Sequence, residues 1–124
     1  MNGRNNFFRL QHWQLAERQR YLTELESLGE RLRADVARLR DEIDQAGGAD
    51  LLRANGLTDP LFIRPLLERR DKLVRSITEI DAQIVDARVA VLASQQEMKL
   101  VEGTLVHRTR RFDERLTRRA RRST

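Results

Sequence analysis

Residues able to do acid–base, nucleophilic or metal chemistry are few in this chain. The histidines are His12 and His107, and there is no cysteine, so no thiolate nucleophile, disulfide or zinc–thiolate site can be built. Near the two chain ends, the histidines read as solvated side chains on charged helix faces. Asp41, Glu42 and Asp44 cluster, but among so many arginines they read as a solvated helical face rather than a catalytic acid and base. No glycine-rich phosphate loop occurs, and Gly47-Gly48 reads as a helix stop. Catalytic residues, metal, cofactor and small-molecule ligand are not expected, so the chain is read as a non-enzyme.

Recognition chemistry is better represented, and most of it is positive charge. The net charge is +5, from 24 Lys+Arg against 19 Asp+Glu. From Arg108 onward eight arginines face only Asp113 and Glu114, so the body is close to neutral and the tail is basic. Such a tail fits an acidic protein surface, a nucleic-acid backbone or a simple solvated helix end. Phe112 is the single aromatic there, so the stacking residues of a single-strand binder are missing. Protein is the expected partner and nucleic acid is not. A second recognition feature lies near the start. Phe7, Leu10 and Trp13 follow at steps of three on a face different from that of Phe8 and Leu15. They form either extra cover for a packed seam or an exposed apolar patch with Trp13 as anchor.

The elements that must carry these residues are legible in composition and period. Thirty-five per cent of the residues are charged and only 5% aromatic, the composition of long solvated helices rather than a globular core. Phe8, Leu15, Leu22, Gly29, Val36 and Ile43 recur every seven residues, interleaved with Leu25, Leu32, Leu39 and Ala46. Gln11, Arg18 and Gly29 are the weak spots of this seam. A second heptad segment runs through Ile63, Arg70, Ile77, Ile84, Val91, Met98, Leu105 and Phe112. Its companion row is Leu66, Leu73, Ile80, Ala87, Ser94, Val101, Arg108 and Arg115. Apolar residues alternating at three and four keep one stripe of each helix facing a partner, as in a coiled coil.

The spacing predicts an all-α fold: one long antiparallel two-helix coiled-coil hairpin over residues 1–124. Helix one is expected over about 6–46, a turn over about 47–59 and helix two over about 60–121. Gly47-Gly48 is the stop, Asp50 to Gly56 a short capped turn, and Asp59 an N-cap with Pro60 at the first helical position. Pro65 either kinks the second helix or marks its true start. A fold-back at about Arg53 sets Leu25 beside Ala82 and lets the second helix project by about 20 residues, roughly 30 Å. The seam continues into that projection through Val101, Leu105 and Phe112, and there it needs another protein or a second copy. No run approaches the ~20 apolar residues of a membrane span, and no signal-peptide pattern opens the chain, so a cytoplasmic location is expected.

The residues also carry a family resemblance. Phe7-x-Arg9-Leu10 leads into Gln14-Leu15-x-Glu17-Arg18-Gln19-Arg20-x-Leu22 and Leu25-Glu26. Later come Arg69-Arg70-Asp71-x-Leu73, Asp81-Ala82, Asp86-Ala87-Arg88, Glu97-Met98-Lys99-x-x-Glu102 and a basic stretch from Arg108 to Arg111. Over most of its length this pattern resembles the FliJ family, stalk proteins of bacterial flagellar export related to injectisome stalks. The resemblance implies an antiparallel coiled coil similar to the rotor shaft of rotary ATPases. It implies that the pole bearing both termini engages the hexameric flagellar export ATPase. An export-gate membrane protein and export chaperones are the further partners it implies, with a location peripheral to the membrane-embedded apparatus. The residues expected to meet the ATPase are Trp13, Arg108, Arg110, Arg111, Phe112 and Arg115. A generic coiled-coil adaptor, or a polyanion binder using the arginine tail, is the alternative.

Overall fold

Seven-residue periodicity with little glycine or proline leaves the backbone one way to satisfy its hydrogen bonds, and the chain takes it. In the computed structural model residues 2–52 and 60–122 are described, and all of them are helical: α1 is Asn2–Leu52 and α2 is Pro60–Arg122. The two helices pack against each other along their heptad rows. In α1 every position of both rows is buried or half-buried, including the weak spots Gln11, Arg18 and Gly29. In α2 the rows stay covered from Ile63 and Leu66 to Val101 and Leu105, after which every described side chain is exposed. Among the described residues no helix is long and apolar enough to cross a membrane.

The chain divides into two units. The first comprises Met1–Arg20 and Arg88–Thr124, the second Tyr21–Ala87. In the second unit Leu25, Ile84 and Ala87 form a buried cluster with Leu22 and Ile80 against it, while Val36 and Leu39 are equally well covered. Burying a leucine of this kind stabilises by about 1.5–3 kcal/mol. Gly29 lies against the other helix: a Cβ built there would lie 3.6 Å from both Ile80 Cγ2 and Ile84 Cδ1. Arg33 Nη2 donates to Asp81 Oδ1 at 2.5 Å across the helix pair. Both side chains are about half exposed, so this pair adds specificity more than stability.

In the first unit Val91, Ser94 and Met98 are the buried residues of α2. Ser94, only 1% exposed, accepts a hydrogen bond from Arg18 Nη1. Each residue interrupts an apolar row of its own helix, and the two interruptions satisfy each other. The rings of Phe8 and His12, one turn apart, meet edge to face with centroids 4.5 Å apart.

The end of α1 differs from the sequence expectation, whereas the start of α2 agrees with it. α1 does not stop at Ala46: it continues through Gly47 and Gly48 to Leu52, so Asp50 lies within it rather than capping a separate turn. Glycine permits a left-handed cap but does not impose one, and Leu51-Leu52 prolong a helix as readily as they start one. Pro65 lies inside α2, which begins at Pro60. One turn from a helix start, proline removes a single backbone hydrogen bond. The expected Asp59 cap and the Arg53–Gly56 turn fall outside the described residues. The later end of α1 also shifts the pairing. Leu25 clusters with Ile84 and Ala87, whereas Ala82, its expected neighbour, is exposed.

Candidate partner-docking site

The last turns of α2 combine exposed apolar side chains with dense positive charge. The row that buries Val91 and Met98 goes on through half-buried Leu105 to Phe112, which is 62% exposed. In the companion row half-buried Val101 is followed by exposed Arg108 and Arg115. In this stretch the hydroxyls of Thr104, Thr109 and Thr117 donate to backbone carbonyls one turn back. Arg119, Arg121 and Arg122 sit in the last turn, where the helix dipole favours cations. The dipole does not account for the arginines further from the end.

Among the described residues, three grooves in this region of the first unit are open to solvent. A largely apolar one of about 330 Å³ is lined by Gly3 and Phe7 of α1 and by Leu100, Val101, Leu105 and Arg108 of α2. A second, about 520 Å³, opens around Gly103, where a missing side chain leaves a notch beside Lys99, His107, Arg108 and Arg111. The third, about 400 Å³, combines Phe112 and Leu116 with Arg115, Arg118 and Arg122. All three are open to solvent and present cations and apolar carbon rather than a converging set of catalytic groups. Among the described residues no three His, Asp or Glu side chains are grouped to hold a metal ion.

The expected site residues are distributed unevenly over these grooves. Arg108 lines two of them, Arg111 lines one, and Phe112 and Arg115 share the third. Arg110 lines none of the three, being two positions and so about 200° from Phe112 on the helix. Trp13, 61% exposed on α1, also lines none, although Phe7 from the same aromatic run does. Phe7, Leu10 and Trp13 are all exposed, so this run is surface rather than extra seam. Leu100 and Thr104 were missed by the sequence reading because neither lies on a seam row. Leu100, Thr104 and Arg108, which line a groove together, follow one another at steps of four, and that was the available signal.

No protein-family model, curated protein or solved structure matches the chain significantly.

Proposed function

We propose that this chain is a non-enzymatic stalk or adaptor of the bacterial flagellar protein-export apparatus. It folds as an antiparallel two-helix coiled-coil hairpin with a projecting C-terminal helix. The pole carrying both termini engages the hexameric export ATPase and helps couple it to the export gate. The observation that carries this reading is the exposure of every described side chain from Val106 to Arg122, in a helix that keeps Phe112 on its apolar row and gains positive charge. A helix end of that kind suits insertion into a ring, with Phe112 entering an apolar collar and arginines meeting acidic side chains at its rim. Antiparallel pairing is supported within the second unit. Leu25 clusters with Ile84 and Ala87, and one turn later Gly29 faces Ile80 and Ile84.

Deleting the chain from its own cell is the direct test. Filament assembly and motility should be lost, and the full chain supplied in trans should restore both. Normal flagella in the deletion strain would overturn the proposal.

A further inference from the structure

Arg108, Arg111, Arg115, Arg118 and Arg122 follow one another at steps of three, four, three and four. That alternation holds side chains on one stripe of an α-helix, and α2 is unbroken through this stretch. All five are exposed, and among the described residues no ion pair includes any of them. Phe112 and Leu116 run alongside, sharing a groove with the last three. At 1.5 Å per residue the stripe is about 21 Å long. Like charges at this spacing repel one another, so opposite charge laid alongside the stripe is favoured.

We infer that this stripe docks an acidic amphipathic α-helix of another protein, with carboxylates at the same three–four alternation and apolar residues that cover Phe112 and Leu116. The inference rests on the protein-docking role proposed above and gives the partner surface its chemistry. A helix laid alongside repeats its side chains at the period of the arginines, so each guanidinium can take a carboxylate with two parallel N–H···O bonds. A second copy of this chain cannot supply that surface, since nowhere in the sequence do three acidic residues follow at steps of three or four. A nucleic-acid backbone would neutralise the arginines but leave Phe112 and Leu116 uncovered. An anionic bilayer would cover the apolar side chains but bring its headgroups against Asp113, one residue and about 100° from Phe112 on the flank away from the arginines.

The test uses the full chain and a designed helical peptide with five glutamates at the three–four alternation and leucines beside them. The control peptide has the same composition with its glutamates spread evenly around the helix. The phased peptide should bind about tenfold more tightly or better. Arg111→Glu combined with Arg115→Glu should cost about tenfold in affinity, while Arg110→Glu, about 120° around the helix from the stripe, should cost under about twofold. Equal binding of the two peptides, or an equal loss from Arg110→Glu, would overturn the inference. So would tighter binding of a short DNA duplex or of phosphatidylglycerol vesicles at the same ionic strength. Binding of the export ATPase is measured in parallel. ATPase bound while the peptides bind equally sinks only the acidic-helix inference. Phased peptide bound while the ATPase is ignored sinks only the functional reading.

Discussion

A methyl group added at Gly29 would meet Ile80 and Ile84 at 3.6 Å and the Arg33 guanidinium at 3.5 Å, ordinary van der Waals contacts. Gly29 is helical, and glycine in a helix interior costs about 1 kcal/mol relative to alanine. Gly29→Ala should therefore raise stability by about 0.5–1 kcal/mol in urea unfolding. A loss of stability would show that the helices approach more closely than these distances indicate. Gly29 was legible as a seam position but not as a buried one, because its exposure is decided by what the other helix brings opposite. Arg18 and Ser94 teach the same lesson. Each reads as a defect in its own row, and only the register between rows shows that they hydrogen-bond to one another. A polar pair of this kind favours one register over others, since sliding either helix would bury Ser94 against carbon.

Along each element the heptads were the strongest signal, and every row position from Phe8 to Ala46 in α1 and from Ile63 to Leu105 in α2 is at least half-buried. The end of α1 was not legible. Gly47-Gly48 is compatible with a stop and with continuation, and the choice depends on cooperative extension to Leu52 rather than on local propensity. Gly47 has open space where a Cβ would be. Gly47→Ala should accordingly increase helicity by circular dichroism and stabilise by about 1 kcal/mol. Were Gly47 a left-handed cap, the same change would destabilise by a similar amount. The expected docking residues divide in the same way. Arg108, Arg111, Phe112 and Arg115, expected from charge and seam, line the grooves, whereas the separation of Arg110 from them is a matter of helical phase that a count of arginines does not register.

At the scale of the whole molecule, an intramolecular hairpin and a two-chain coiled coil bury the same rows and differ in which chain supplies the partner. The chain has no cysteine, so Arg33→Cys with Asp81→Cys introduces a single oxidisable pair. Oxidation should give a cross-linked monomer at every protein concentration, and a ladder that grows with concentration would indicate pairing between chains. The functional claim depends on the exposed end of α2. Salt should weaken its attraction to an acidic partner while leaving the contribution of Phe112 nearly unchanged. The most direct measurement is the rate of ATP hydrolysis by the hexameric flagellar export ATPase, taken alone, with the full chain, and with a chain truncated after His107 whose helicity is verified. The full chain should bind and stimulate hydrolysis, and the truncated chain, still helical, should do neither. Equal stimulation by both would contradict the functional claim and assign the docking function elsewhere in the chain.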